Sequence, residues 1–407
     1  MGPLEGIRVI DMGQYLAGPF GPMLLADLGA DVIKIEPVTG DRMRFAAGPF
    51  IGCQRGKRDL ALDAKAAEGR EIVLRLAATA DVFHHNMTQG VARRLGLDDE
   101  AVRAVKPDII YCNTWAYGQE GPKARSGGLD PLYQAACGLE YEAGAVREGN
   151  DPLYLRFGMT DTANAFLSAI GVLVALYHKG STGEGQYLWT SLLDGAAVFS
   201  SDVFLDAEGR PPPERDHLDR LLTGTGALYR LYNTLEGWIQ IAAVKPSHWP
   251  ALCATLGLGS LVDDERFATP AARRSHRKQL ETVLEPTFAS RTARQWQLAL
   301  DAAGVPAEMS IDTRSGETAL FDDENVRLGL VTEGHHELLG RLRQFGRLFS
   351  FSATPTEPGP PPPLCGSHTR ELLSELGYSE SDMERLRDEG VVYWPDEKGG
   401  VAYPWPV

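Results

Sequence analysis

Basic residues are in deficit: 40 Lys and Arg stand against 55 Asp and Glu, a formal charge of −15 at pH 7 over 407 residues. A broad nucleic-acid footprint needs a surplus of cations for phosphate, so nucleic acid is not an expected partner. A small anionic ligand stays open, because a local basic pocket can sit on an acidic protein. Cysteine is scarce, with five residues at positions 53, 112, 137, 253 and 365, an odd number without a CxxC pair. Extracellular disulfide frameworks look different, and a reducing, cytoplasmic compartment is expected. Long apolar runs are also missing. The longest, Ala163–Tyr177, is broken by Asn164, Ser168 and Gly171, so no membrane span is expected. The opening MGPLEGIRVIDMG lacks the basic-then-apolar form of a signal peptide. No HExxH or His/Cys spacing supports a metal, and GxGxxG, GxxxxGK[ST] and GxSxG are all missing.

What is present reads as alternating strand and helix. Ile7–Asp11 is apolar and β-branched; a Gly/Pro loop, Gly13–Pro22, leads to a helical run at Met23–Leu28, and Asp31–Glu36 reads as a second strand. That is one βαβ unit with a parallel pair. The pattern repeats with a helix at Ala66–Ala78, a strand at Asp81–His85, a helix at Val91–Leu95 and a strand at Asp108–Asn113. The expected class is therefore α/β with a doubly wound parallel sheet. Apolar residues near helical spacing predict a helix over Thr162–His178, stopped by the turn cluster Gly180–Gly185, with one further element over Leu188–Ser200. Asp206–Asp216, with its three prolines, reads as a surface linker. Leu228–Val244 carries a hairpin signal around Leu235-Glu236-Gly237, and helical material follows to about Ala303. Beyond the stiff run Pro358–Pro363, helices are expected at Ser367–Leu376 and Ser379–Glu389.

Three features bear on chemistry. The loop GQYLAGPFGP follows the first strand, where open α/β sheets bind ligands; it is equally a tight strand-to-helix connection. Arg55, Lys57 and Arg58 cluster in QRGKRD, and Arg93–Arg94 follow Asn86; such groups grip phosphate or form solvated basic turns. Asp161 precedes the apolar helix. It suits an N-cap, and it equally suits a nucleophile held ionised and aimed by the helix dipole.

These pieces fall in a known order. The opening PLEGIRVIDMGQYLAGPFGPMLLADLGADVIKIEPVTGD, then RGKRDLALD, ADVFHHN, RFGMTDTANA, GSTGEGQ and CGSHTRELLSELGY with a terminal GVV resemble the family III (CaiB/BaiF-type) CoA-transferases, which include formyl-CoA transferase and α-methylacyl-CoA racemase. The resemblance implies a large doubly wound domain built from both chain ends, a smaller α+β domain between, and two chains interlocked as rings in a homodimer. The corresponding division is a large domain over 1–205, a linker over 206–225, a small domain over 226–325 and a return over 326–407.

The resemblance also implies the site. Asp161 matches the transferases' nucleophilic aspartate. Gln14, Tyr15 and Ala17 match the loop at the CoA thioester end, Lys57 and Arg58 a basic pair near the CoA phosphates or adenine, and Asn86, Met87 and Arg94 further CoA contacts. The implied partners are an acyl-CoA and a free carboxylic acid, with coenzyme A as substrate, no permanently bound cofactor and no metal. The implied reaction moves CoA between acids through an aspartyl mixed anhydride and an aspartyl-CoA thioester. Two alternatives are a 2-methylacyl-CoA racemase and a CoA-binding subunit without chemistry. The chain departs from formyl-CoA transferase at Pro37, where that enzyme carries arginine, and it lacks the glycine-rich substrate loop. It departs from the racemases at Leu129 and Lys245, where they carry histidine and glutamate. Leu129 cannot exchange a proton with an α-carbon, which favours the transferase branch.

Overall fold

The structure is a computed structural model that describes residues 2–211, 216–313 and 316–395. The first part alternates β1 (Arg8–Asp11), α1 (Phe20–Asp27), β2 (Asp31–Glu36), α2 (Ala47–Gln54), β3 (Lys57–Leu62), α3 (Ala67–Ala77) and β4 (Val82–His85). It continues with α4 (Val91–Leu95), α5 (Asp99–Val105), β5 (Ile110–Trp115) and α6 (Asp130–Ala136). Next come α7 (Leu139–Ala143), the long α8 (Met159–Thr182), β6 (Tyr187–Ser191) and α9 (Leu192–Phe199). The middle holds β7 (Gly224–Gly226), β8 (Tyr229–Asn233), β9 (Trp238–Ala242), α10 (His248–Leu256), α11 (Pro270–Ser275), α12 (Arg277–Phe288), α13 (Ala293–Ala302) and β10 (Ala307–Ser310). The last part is α14 (Glu317–Phe321), α15 (Asp323–Arg327), β11 (Val331–His336), β12 (Gly340–Phe345), α16 (Thr369–Glu375), α17 (Glu380–Asp388) and β13 (Val392–Tyr393).

The chain forms two compact units. The first takes the residues through Cys137, Arg156–Asp202, and those from Ala319 onward. Its seven-stranded sheet runs β13-β3-β2-β1-β4-β5-β6, parallel throughout except for the antiparallel edge β13. Ile10 sits between Ile33 and Phe83 in register. Alternation along the strands then serves two cores. Ile10, Ile33, Leu60, Phe83 and Tyr111 pack with Ile72 and Leu76 of α3, Val102 of α5, and Leu372, Met383 and Leu386 from α16 and α17. Val9, Val32, Val82, Ile110 and Cys112 point the other way, to Met23 and Leu24 of α1 and to Ala169 and Val172 of α8. Both faces are covered, which is why these strands read as nearly continuous apolar runs.

The second unit is Gly138–Leu155 with Val203–Thr318. Its antiparallel sheet, β10-β9-β8-β7, buries Tyr232, Ile239 and Ile241 against Trp249, Leu284, Phe288 and Trp296 of its helices. The expected hairpin is β8–β9, closed from Asn233 to Trp238. The sequence expectation puts residues 138–155 in the 1–205 body. They belong here instead, because Asn150 Nδ2 donates to the Arg220 carbonyl at 2.9 Å and His217 Nε2 lies 2.8 Å from Glu148 Oε1. Of the proline-rich linker, residues 212–215 lie outside the described residues.

Two local readings shift. The 188–200 region is a strand and then a helix, divided at Ser191, whose Oγ accepts the Asp194 N–H at 3.0 Å as an N-cap. Helix α8 begins at Met159 and runs 24 residues to a left-handed Gly183, longer at both ends than expected. By length and composition it could cross a bilayer. Its buried Thr160, Asn164 and Ser168, and its packing on α1, β5, β6 and α9, are those of a helix laid on a sheet.

Candidate active site

The sheet order reverses between β1 and β4, and in open α/β sheets the crevice at that reversal, beyond the strand carboxyl ends, holds the ligand. The Gly13–Pro19 loop leaves β1 there, and Asn86 leaves β4. The Asn86 side chain clasps Gln14 from both sides: Oδ1 accepts the Gln14 N–H at 2.9 Å and Nδ2 donates to the Gln14 carbonyl at 2.8 Å. Gly18 lies flat on this amide, and a Cβ there would come within 2.7–2.9 Å of its atoms. Tyr15 is held at φ +63° with its ring partly exposed, a strained backbone for a non-glycine residue. Ala17 is buried with Tyr133, Leu192 and Ala196. Met87 is half-buried against the sheet core, and its N–H is accepted by His85 Nδ1 at 3.1 Å.

Buried charges support the loop from below. The Gly13 N–H donates to Asp11 Oδ1 at 2.7 Å, and Lys34 Nζ donates to the Gly13 carbonyl and to Asp41 Oδ2, both at 2.9 Å. Lys57 belongs to this support and not to a ligand surface. Its buried ammonium donates to Asp11 Oδ2 at 2.7 Å, the Pro19 carbonyl at 2.7 Å and Gln54 Oε1 at 2.8 Å, which uses its three protons. Burial pushes the Asp11 carboxyl up, but Lys57 and Lys34 outweigh that and hold it below its ordinary value. Arg58 is likewise committed, to Asp31 at 2.7 Å, Glu371 at 2.9 Å and Glu375 at 2.5 Å, fastening α16 to the sheet. Arg55 is buried on Asp27 and on the carbonyls of Phe345 and Gly346. The cationic cluster that suggested phosphate is thus structural, because each cation meets an acid far away in sequence.

Asp161 sits in the first turn of α8, third after the cap residue Gly158, so it is not the N-cap. The cap function is supplied across the fold by buried Asp130, the neighbour of Leu129. Asp130 Oδ1 accepts the N–H of Thr160 at 2.7 Å, the N–H of Asp161 at 3.1 Å and the Thr160 hydroxyl at 2.5 Å. Gln134 holds the other Asp130 oxygen and donates to the Phe157 carbonyl at 2.8 Å. With the first-turn N–H groups taken, the helix dipole does not dominate. Burial, and then the Asp130 carboxylate, push the Asp161 carboxyl up to about 7. Gly158 opens its surroundings: a Cβ there would lie 2.9 Å from Leu16 Cδ2 and 3.7 Å from Asp161 Oδ2, so Asp161 and the β1 loop flank one glycine. Leu129, just before Asp130, is 60% exposed and offers no base.

Arg94 is exposed and lines a cavity of about 780 Å³ with Arg93, Arg125, Tyr111, Trp115 and Tyr187. The cavity lies on the α4–α5 side of β5 and β6, where Tyr111, Asn113 and Trp115 share one face of β5 by alternation. The chain from Asn86 through Met87 to Gln89 and Gly90 leads from the loop clasp to this cavity. Cationic forks beside aromatic faces suit a phosphorylated aromatic ligand.

The comparisons agree with this architecture. The family model described as CoA-transferase family III matches residues 4–369. The chain is 32% identical to succinyl-CoA:glutarate CoA-transferase of Mus musculus, over 96% of this chain and 91% of that protein. It is 28% identical to succinyl-CoA–D-citramalate CoA-transferase of Chloroflexus aurantiacus, over 96% and 98%. A crystal structure of a CAIB/BAIF family protein from Brucella suis superposes with a TM-score of 0.78 at 29% identity, covering 92% of this chain and 99% of that one. A switch-point loop clasped by Asn86, a half-buried carboxylate at the head of α8 and a match across nearly the whole length lead to one assignment: the chain belongs to CoA-transferase family III.

Proposed function

We propose that this protein transfers CoA from an acyl-CoA to a free carboxylic acid with Asp161 as nucleophile. The observation that carries the reading is the place of Asp161, a half-buried carboxylate at the head of α8 that shares Gly158 with the switch-point loop and is pushed toward neutrality by burial and by Asp130. As the anion it attacks the thioester carbonyl, giving a mixed anhydride and CoA thiolate. The thiolate attacks the aspartyl carbonyl, giving an aspartyl-CoA thioester and the donor acid. The acceptor carboxylate then runs both steps in reverse. No proton leaves carbon, so no second base is required. Asp130 takes the Thr160 and Asp161 N–H groups, so the backbone of the neighbouring Tyr15–Gly18 loop is assigned the role of stabilising the oxyanions.

The thioester end of CoA lies along Gln14–Ala17, and the phosphates and adenine lie toward Arg93, Arg94 and Arg125. Lys57 and Arg58 act behind the site and not on the ligand. Several relatives are named for succinyl-CoA, so succinyl-CoA with a short dicarboxylic acceptor is the first pair to assay. The working form is a homodimer, supported by the outer face of α8, where Ile170, Val174 and Tyr177 are 55%, 61% and 82% exposed. The five cysteines are all free, which fits a cytoplasmic protein.

The experiment is to incubate the protein with succinyl-CoA, trap with hydroxylamine and map the product by mass spectrometry. A hydroxamate on Asp161, missing in Asp161→Asn, is expected. Full transfer by a sequence-verified Asp161→Asn protein would overturn the reading.

A further inference from the structure

The transfer mechanism leaves one buried titratable cluster unused. Where β3 faces β2, Glu36, Asp59 and Cys365 bring two carboxylate oxygens and a sulfur within 4.8 Å of one another, all buried. Arg44 already supplies a cation there. Its Nε donates to both Glu36 oxygens at 3.1 and 3.0 Å, while its contact to Asp59 Oδ2 is a longer 3.4 Å.

A charge count over this interior does not balance. Asp11, Glu36, Asp41 and Asp59 are four buried carboxyls, and Lys34, Arg44 and Lys57 are three buried cations. The close pairs are Lys57–Asp11, Lys34–Asp41 and Arg44–Glu36, which leaves Asp59 in excess. The other titratable groups nearby do not supply the missing charge. His84 is pushed down to about 4 by burial, and the Cys365 thiol is pushed up by burial. His368 accepts the Asp59 N–H at Nδ1, 3.2 Å away, so that nitrogen carries no proton. Its own value is pushed down by burial. An unpaired buried charge is costly, and a carboxyl in that position takes up a proton. An oxygen of Asp59 and an oxygen of Glu36 lie within 4.8 Å of each other in this buried cluster, a spacing at which two carboxylates repel and one of them keeps its proton.

Asp59 is the point where the returning chain is fastened. Its Oδ1 accepts the Gly366 N–H, its carbonyl accepts the His368 N–H at 3.0 Å, and Arg44 Nη1 donates to the Pro363 carbonyl at 3.2 Å. Glu36 in turn accepts the Asp41 N–H, and Asp41 pairs with Lys34, which holds the Gly13 carbonyl of the β1 loop. We propose that Asp59 is a neutral carboxylic acid donating its proton to Glu36, and that this bond is a proton-dependent latch holding the Pro363–Thr369 segment on the sheet. Burial pushes the Asp59 carboxyl well up and Glu36 adds to it, with Arg44 opposing.

The sign follows from linkage. The folded chain holds a proton on Asp59 that the unfolded chain, near the ordinary Asp value, gives up. The stability contribution of the latch is therefore complete below about pH 4 and falls as pH rises through the folded value. Asparagine cannot ionise, yet it offers an N–H to Glu36 and an oxygen to Gly366. The test is chemical unfolding of the full chain at one protein concentration, wild type against Asp59→Asn, from about pH 5 to pH 8. Relative to the variant, the wild-type unfolding constant is expected to rise about tenfold per pH unit while Asp59 stays protonated. Parallel profiles would overturn the proposal. If Asp59→Asn fails to fold, carbon-13 NMR of labelled aspartates in the Asp161→Asn background decides. One carboxyl in the protonated range at pH 7 supports the latch, and every carboxyl in the ionised range rejects it.

Discussion

Asp130 Oδ1 lies 3.1 Å from the Asp161 backbone nitrogen, although 31 positions separate the two residues in sequence. Asp130 does two jobs with one carboxylate: it caps α8, and its charge adds to burial in raising Asp161. Attack requires the anion, so kcat/KM is expected to climb as pH rises through about 7 and to level above it. Asp130→Asn keeps an oxygen for the Thr160 and Asp161 N–H groups and removes the charge. Its acid limb should move to lower pH with the plateau retained in part, as a pH–rate profile will show; an unmoved limb contradicts the electrostatic role. Asp161→Asn is expected to abolish transfer and to be more stable than wild type at pH 8. The folded Asp161 value lies above the unfolded one, so wild type loses stability as pH rises through about 7, and asparagine does not. Thermal unfolding at pH 5 and pH 8 reads this directly.

At the scale of elements, the β1 loop is shaped by what lies beneath and beside it. Gly18→Ala drives a methyl group into the Asn86 amide and opens the clasp on Gln14. A rise in KM for acyl-CoA of roughly tenfold is expected, with a smaller change in Tm, because the loop positions ligand and carries little core. Lys57→Met tests the opposite case. It strands Asp11 without its 2.7 Å partner, and breaking a buried pair from one side costs about 3–5 kcal/mol. A large loss of Tm is expected, and a KM effect without destabilisation would return Lys57 to the ligand surface. Most of this architecture is legible from local pattern: the strands at 8–11, 31–36 and 82–85 coincide with apolar runs, and the hairpin at 229–242 with its Gly237 turn. Helix α2 was not, because AGPFIGCQ combines glycine and proline and has no apolar periodicity.

For the whole molecule, α8 carries an apolar stripe outward as well as inward. Charge introduced at Val174, as Val174→Glu, is expected to halve the mass seen by light scattering if two copies meet on this face; a wild-type monomer at dilute concentration counts against the dimer. The C-terminal helices complete one core face of the first unit with Leu372, Met383 and Leu386, so the unit depends on both ends of the chain. That dependence was visible only through family resemblance, since no local signal tells which sheet a late helix covers.

The order of strands and helices, the glycine-rich loop after the first strand and an aspartate at the head of an apolar helix follow from residue spacing alone, because backbone propensity and burial periodicity act over a few neighbours. Which charges are free for a ligand does not. Lys57, Arg58 and Arg55 read as one basic turn, and the tertiary structure sends them to Asp11, to Asp31 and α16, and to Asp27. Asp130 became a cap, Asp161 a raised carboxyl, and residues 138–155 part of the second unit only once the chain was folded. Ion pairing, desolvation and long-range capping depend on distances in space between residues far apart in the chain, and a linear sequence does not contain those distances.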